Sequence, residues 1–458
     1  MTATDAMPAT PDPGGRPDLH APADVVQITR RLEQAGFSTW AVGGAVRDAL
    51  AGRVPADWDL ATAARPREVQ RLFRRTVPVG VDHGTVGVLG RDGRMYEVTT
   101  FRRDVETDGR HAVVRFSDTV EDDLQRRDFT MNAVAWHPLT HEIRDPHGGV
   151  EDLRAGTLRT VGEPADRFRE DRLRLLRALR FAGRFGLTVH PATWQAGVDI
   201  ADELPALSAE RVREELMKTM REVERPSHTL RLYAGCGALR SLYPELQACI
   251  GVPDGDGDVW SHLLAATDAV PRHRPVLRVT ALLHDVGKAV APWGDEGGED
   301  FPGHAGVGAA LTREVMRRLK FSNADADRAV HLVAQHSGLP APDAPAPEVR
   351  RWLRGVGPAY VWDLLRLRVA DARARGDGAG DALASIRALR GRVRGLLSGG
   401  AALEITDLAI GGAELRALGI PPGPLFGEIL RDLLERVTDD PSLNDAGTLT
   451  EIVRARIS

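Results

Sequence analysis

The sequence predicts an α+β fold, in which a mixed sheet with helices opens the chain and helices fill the remainder. Two observations carry this. Up to Leu153, strand-like runs alternate with amphipathic segments, whereas beyond a switch near 150–165 apolar residues recur almost wholly at helical spacing. A third observation, the length of 458 residues, allows two to four domains, each with its own core. The expected divisions are a disordered tail over 1–23, an α+β domain over 24–155, and helical domains over 156–225, 226–395 and 396–458.

Composition narrows the class. Hydrophobic content of 42% and charge of 27% are those of a soluble globular protein. No apolar run is long enough to span a membrane, and the N-terminus lacks a charged-then-apolar signal pattern. Cys236 and Cys249 are the only cysteines, too few for a disulfide framework, which fits a reducing cytoplasm. The net charge of −5 gives no global sign of nucleic-acid binding. Lys218, Lys288 and Lys320 are the only lysines, so local arginine patches must make any contact with a polyanion.

Residues 1–23, rich in Pro, Ala, Gly and Asp, read as the tail. An amphipathic helix over 24–36 follows, with Val25, Val26, Ile28 and Leu32 near helical spacing. The stretch VGGAVRDALAGRVPADWDL (42–60) predicts a strand, a Gly43–Gly44 turn, a short helix from Ala45, and a second strand carrying Asp57 and Asp59. Glycines admit close backbone approach to a ligand, and a helix start offers unpaired N–H groups to an anion. Residues two apart on a strand share a face, so Asp57 and Asp59 present paired carboxylates. That layout suits two-metal phosphoryl or nucleotidyl transfer. A surface turn followed by two solvated acids fits the same residues.

A polar helix is expected at 66–75, then strands at 77–89 and 94–101. Glu97, on the last of these, is a candidate third carboxylate, although an edge-strand acid facing water fits equally. Residues 103–115, polar and Gly-containing, read as a mobile loop. LQRRDFTMNAVA (124–135) places Arg126, Arg127 and Asp128 at the head of an apolar segment, and DPHGGVEDL (145–153) closes the first domain.

RFREDRLRLLRALRFAGRF (167–185) predicts one helix with an apolar stripe of Leu173, Leu176, Leu179, Ala182 and Phe185. Asp171, Arg174 and Arg177 fall on another face, with Arg180 next along. Seven arginines against Glu170 and Asp171 make a local basic patch, and a solvated, salt-bridged face is the ordinary alternative. A helix over 208–220 is expected to take Ser208 as N-cap. Further on, His262, His284, Asp285 and Asp371 sit on successive helices and could converge on a divalent cation. His304 and His336 could complete a second site. A polar network plugging a helical bundle is the alternative. The Pro-Ala stretch 339–348 reads as a loop, and 403–440 as small helices around GIPPGP.

Taken in order, GGAVRD, DWD, EVTTFR, DGRH, RRDFTMNA, DPHGGVEDL, EDRLR and SAERVREE resemble the bacterial tRNA nucleotidyltransferases. These are the class II CCA-adding enzymes and poly(A) polymerases of the polymerase β superfamily, here with an HD domain. The resemblance covers the chain from about residue 24 onward. It implies a polymerase β-like nucleotidyltransferase head followed by a helical neck, an HD-type body and a tail. Asp57 and Asp59 would hold two Mg²⁺ ions, with Glu97 as a further metal or base-like carboxylate. Gly44 and Arg47 would contact the triphosphate, and Arg127 and Asp128 the sugar and phosphates. Asp171 and Arg174 would read the base, with Arg177 and Arg180 in support. Implied partners are CTP, ATP and the tRNA 3′ end and acceptor stem, with no membrane. The HD block implies a further divalent metal and a phosphohydrolase activity.

The base-reading pair also has an independent physical basis. Cytosine and adenine each set an exocyclic amine donor beside a ring-nitrogen acceptor, whereas uracil and guanine invert that pair. A carboxylate only accepts and a guanidinium only donates, so Asp171 with Arg174 suits C and A. Protein side chains could thus replace a nucleic-acid template. The 103–115 loop argues against a pure CC-adder but is somewhat short for the family, which bears on the A-addition step, and CC-only and A-only addition both stay open as alternatives. Poly(A) polymerase is the nearest alternative enzyme, and VPVGVDHGTVGV resembles the CCA-adding form.

Overall fold

The computed structural model describes residues 19–80, 84–107, 112–290 and 303–457. Most of the expected tail therefore lies outside the described residues. Leu19, at its end, is buried in the first core. By contact the chain divides after Ala206 into two compact units.

The first unit begins with α1 (Ala23–Gln34), β1 (Thr39–Val42), α2 (Gly44–Leu50), β2 (Asp59–Thr62), α3 (Pro66–Leu72), β3 (Thr76–Gly80), β4 (Thr85–Leu89) and β5 (Met95–Thr100). It continues with β6 (Arg102–Thr107), β7 (Ala112–Phe116), α4 (Val120–Gln125), a 3₁₀ turn (Thr130–Asn132), β8 (Ala135–Trp136), β9 (Ile143–Arg144) and α5 (Gly149–Arg154). The sheet runs β3-β4-β5-β2-β1-β8-β9, with β2 and β5 parallel and the other neighbours antiparallel. Both faces are covered. Trp40 and Val42 enter one apolar cluster while Ala41 enters the other, as strand alternation requires.

Three expectations are corrected here. Asp57 precedes β2, which starts at Asp59. The segment at 103–115 is not an open loop: β6 and β7 pair antiparallel from Arg102 opposite Phe116, with residues 108–111 outside the described part. Val105, Val113 and Val114 favour an extended backbone there.

The third correction concerns 167–185. Those residues form two helices, α6 (Pro164–Glu170) and α7 (Leu173–Phe185), separated by Asp171 in extended conformation, φ −156° and ψ 105°. The Asp171 carboxylate accepts the Leu173 N–H at 3.0 Å, so the side chain competes with helix continuation and starts a new one. Helix α7 is buried more widely than a single stripe, through Leu175, Ala178 and Phe181 as well as Leu176 and Leu179. Leu173 and Phe185 are only partly buried. Between α5 and α6, Thr157–Leu158 (β10) pairs in parallel with Thr188–Val189 (β11), and α8 (Pro191–Ile200) follows.

The second unit is helical: α9 (Ala209–Glu222), α10 (Pro226–Cys236), α11 (Ala238–Leu242), α12 (Pro244–Gln247), then α13 (Val259–Ala269) and α14 (Pro275–Leu283). After these come α15 (His304–Arg318), α16 (Asn323–Gln335), α17 (Ala346–Val356), α18 (Val361–Ala374), α19 (Ala379–Ser398), α20 (Gly412–Ala417), α21 (Pro424–Asp439) and α22 (Ala446–Ile457). Ser208 does precede α9, but its side chain makes no capping bond. One apolar cluster joins α13, α14, α17, α18 and α19, and a separate one closes α20–α22. No described helix is long and apolar enough to cross a membrane.

Candidate active site

Strand β1 ends at Val42 and the chain turns through Gly43 at φ 74°, ψ −136°, a region that admits essentially only glycine. A Cβ there would stand 3.0 Å from Arg127 Nη1 and 4.0 Å from Asp59 Oδ2. The bare turn thus lies against one cation and one anion of the expected site. Gly44 has room for a Cβ, with Arg47 Nη2 at 3.6 Å, so the steric demand falls on Gly43 alone.

Asp59 pairs with Val42 across β1, and the Leu60–Val98 register of β2 with β5 sets Glu97 in the row beside it. Asp59 is exposed as a residue, yet partial burial of its carboxyl group and the nearby Glu97 and Asp57 carboxylates raise its pKa, against the opposing pull of Arg127. The three expected carboxylates are therefore electrostatic neighbours.

Arg127 is held on one side by Asp123, whose Oδ2 accepts its Nη2 at 2.9 Å, and by the Asn132 carbonyl at 3.3 Å. Its Nε is buried without a hydrogen-bond partner among the described residues. Burial alone would raise the Asp123 pKa, but Arg127 and Arg126 hold it below the ordinary value. Asp128 is already saturated: Oδ1 accepts from the Phe129 N–H and Asn132 Nδ2, and Oδ2 from Arg177 Nε and Nη2 at 2.9 and 2.6 Å. Burial opposes its ionisation, and Arg177 and Asn132 overcome it. Arg47 is buried, bonded to Asp48 and to Asn132 Oδ1, with its guanidinium 4.5 Å from the Phe185 ring and 5.2 Å from Phe181.

The four expected neck residues do not share one helical face. Asp171 sits in the break, where its carbonyl accepts the Arg174 N–H at 3.0 Å, so the two remain one turn apart. Arg174 Nη1 pairs closely with Glu170 and donates to the Arg167 carbonyl at 3.2 Å. Arg177 reaches Asp128, and Arg180 is buried with its guanidinium 4.4 Å from the Phe181 ring. Sequence reasoning missed Asp123 and Asn132. Asp123 was signalled by its spacing, three and four residues ahead of two arginines at a helix end.

In the second unit all six expected residues converge. His262 (α13) lies 3.1 Å from Asp371 (α18) and 3.2 Å from His284, which follows α14. Asp285 meets His336 at 3.0 Å and His304 at 3.4 Å. Two overlapping donor groups result, His262–His284–Asp285 and Asp285–His304–His336. Lys288, also missed, spans Asp285 at 2.8 Å and Asp254 at 2.9 Å. Burial would raise the Asp285 pKa, but His284, His304 and His336 hold it well below the ordinary value.

Three family models match successive stretches of the chain. A family model of the poly A polymerase head domain matches residues 39–159, one of a probable RNA- and SrmB-binding site of polymerase A matches 186–250, and one of the HD domain matches 258–371. A CCA-adding enzyme of Anoxybacillus flavithermus is 46% identical over 197 residues, 43% of this chain and 49% of that one. The chain thus spans about half the length of such curated relatives. An A-adding tRNA nucleotidyltransferase of Deinococcus radiodurans is 36% identical over 433 residues, 90% of this chain and 93% of that one. The structure of a Bacillus stearothermophilus CCA-adding enzyme in complex with CTP superposes with a TM-score of 0.71, at 31% identity over 94% of this chain and 98% of that one. Sequence and fold, matched over nearly the full chain, place it in the tRNA nucleotidyltransferase family, in the form that carries an HD domain.

Proposed function

We propose that the chain is a CCA-adding tRNA nucleotidyltransferase that extends the tRNA 3′ end by C, C and A from CTP and ATP without a nucleic-acid template. The observation that supports this most is the grouping of Asp59, Asp57 and Glu97 beside the Gly43 turn and Arg127. Carboxylates that repel one another are a hard oxygen donor set, which fits Mg²⁺. Asp57 and Asp59 would hold two ions, with Glu97 beside them. When bound, such ions neutralise charge on the attacking and leaving oxygens of an in-line displacement.

The chain's own residues supply binding and selection. Gly43 lets the triphosphate lie against backbone, with Gly44 next to it. Arg127, carrying a buried Nε without a partner, offers charge to the phosphates. Arg47 and the Asp128–Arg177 pair shape the nucleotide pocket, and Arg180 packs beneath it. Asp171 and Arg174 read the base, for which Arg174 exchanges Glu170 for the substrate. Arginine patches would hold the acceptor stem, so binding weakens with salt. Two free, buried cysteines accord with a reducing cytoplasm, where tRNA is matured.

A narrower reading, addition of A alone, is favoured by the Deinococcus radiodurans relative, which matches along the whole chain. One experiment separates these readings. Purified protein is offered tRNAs ending at the discriminator base, at C and at CC, with CTP, ATP or both, and the 3′ ends are sequenced. Completion of CCA on all three supports the main reading. Extension of only the CC-ended tRNA makes it an A-adder, and homopolymeric tails on any RNA make it a poly(A) polymerase.

The convergence of His262, His284, Asp285 and Asp371, with His304 and His336, favours a second activity, metal-dependent phosphoester hydrolysis. Imidazole and carboxylate ligands of this kind suit a divalent transition metal. Unchanged phosphatase and cyclic phosphodiesterase activity in His284→Ala would make the cluster structural.

A further inference from the structure

We infer that Asn132 is the positioning residue that ties the triphosphate side of the site to its base-selecting side. The inference rests on the transferase reading above. Asn132 ends the 3₁₀ turn after α4 and is buried, 6% exposed. Its Oδ1 accepts from Arg47 Nη1 at 2.8 Å, its Nδ2 donates to Asp128 Oδ1 at 2.9 Å, and its carbonyl accepts from Arg127 Nη1 at 3.3 Å. The other Asp128 oxygen takes both bonds from Arg177 on α7. The side-chain amide therefore fixes two side chains directly and Arg177 through Asp128, while the backbone carbonyl of the same residue holds Arg127.

The chemistry of the partners dictates the residue. A guanidinium only donates and a carboxylate only accepts, so the group between Arg47 and Asp128 must accept on one side and donate on the other. That requirement also fixes which way the amide faces. An ionised carboxylate here would oppose Asp128, and an apolar side chain would leave both partners short of a bond. The series Arg47–Asn132–Asp128–Arg177 runs from α2 to α7, and the Arg47 guanidinium over Phe181 and Phe185 of α7 closes it into a ring. Helix α2 leaves the glycine turn that faces the phosphates, and α7 carries the base-selecting arginines. Asn132 bonds to Arg47, Asp128 and Arg127 rather than to Asp59, so its loss should disturb nucleotide binding and selection together while sparing the carboxylates.

The test uses the full chain, tRNA ending at C, and CTP and UTP as probes, with Asn132→Ala and Asn132→Asp beside the wild type. For Asn132→Ala the KM for CTP is expected to rise about tenfold or more, with kcat changing less, and the preference for CTP over UTP to fall about tenfold. Asn132→Asp discriminates further. Two carboxylates facing one another raise the pKa of the pair. Once protonated on the acid side, the acid would still donate to Asp128 and accept from Arg47, and once ionised at higher pH it would repel Asp128. Arg127, Arg174, Arg184 and Asp48, the other charges around this network, are present in both variants. The Asn132→Asp KM should therefore approach the wild-type value on the acid side and worsen on the alkaline side.

A KM and a CTP preference within about twofold of wild type in Asn132→Ala, or an Asn132→Asp pH profile parallel to wild type, would overturn the inference. Calorimetric CTP binding by wild type and both variants separates this from failure of the transferase reading. A wild type that binds CTP but extends no tRNA refutes the reading, while the loss of CTP affinity in the variants still decides the role of Asn132. A wild type that does not bind CTP sinks both.

Discussion

Gly43→Ala tests the site's steric logic most directly. The backbone at φ 74°, ψ −136° costs an alanine about 1–3 kcal/mol. The added Cβ would also stand 3.0 Å from Arg127 Nη1, closer than ordinary contact, and the guanidinium would have to withdraw. Withdrawal strains its bonds to Asp123 and to the Asn132 carbonyl. Loss of one charge-assisted bond of about 1.5–3 kcal/mol corresponds to a tenfold to hundredfold loss in rate. Gly52→Ala is the control, since its φ is also positive, 68°, but a Cβ there meets nothing within 4 Å. Urea unfolding of metal-free protein reads the strain, and single-turnover incorporation of CTP into tRNA reads the crowding. Both variants should lose stability, and only Gly43→Ala should lose incorporation. If Gly43→Ala incorporates CTP within threefold, about 0.7 kcal/mol, of Gly52→Ala, the close approach of Arg127 to the turn does not matter for the reaction.

Asp59→Asn should abolish incorporation yet raise the urea midpoint of the metal-free protein at pH 7. The charged form of Asp59 is disfavoured in the fold by partial burial and by Glu97, so removing the charge relieves the folded state. That gain should shrink as pH falls through the raised pKa, because the wild type then takes up the proton itself. A midpoint that drops at pH 7 would contradict the carboxylate grouping. Arg278, fully buried on α14, donates to the carbonyls of Val270, Met220, Val223 and Glu224 at 2.7–3.1 Å and so closes the C-terminal end of α9. Arg278→Ala should destabilise the helical unit by about 3–5 kcal/mol, read by denaturant unfolding, and a loss under about 1 kcal/mol would show those carbonyls finding water instead.

Local chemistry explains which parts were legible in the chain. The alternation that buries β1 on both faces, the glycine turn and the paired aspartates are properties of neighbouring residues, so they can be read without the fold. The histidines and aspartates of the HD block were legible for another reason. Apolar helices rarely carry His and Asp together unless those groups satisfy one another, and five helices, α13, α14, α15, α16 and α18, bring all six into contact. The break at Asp171 was hidden because the arginine and leucine spacing on either side fits one continuous helix. Only the competition of its carboxylate for the Leu173 N–H reveals two. The β6–β7 ribbon was hidden because its polar composition resembles that of a loop.

The sequence by itself determined that a mixed sheet with helices comes first and helices follow, and the donor–acceptor character of each side chain, since these follow from periodicity and residue type. Tertiary structure alone decided the partners. Arg174 turns to Glu170 and Arg177 to Asp128, although Asp171 is nearer in sequence to both, and Asn132 meets Arg47 across 85 residues to join it to Asp128. A buried hydrogen bond depends on which groups the packed core brings within 3 Å and leaves without water, and no spacing along the chain encodes that.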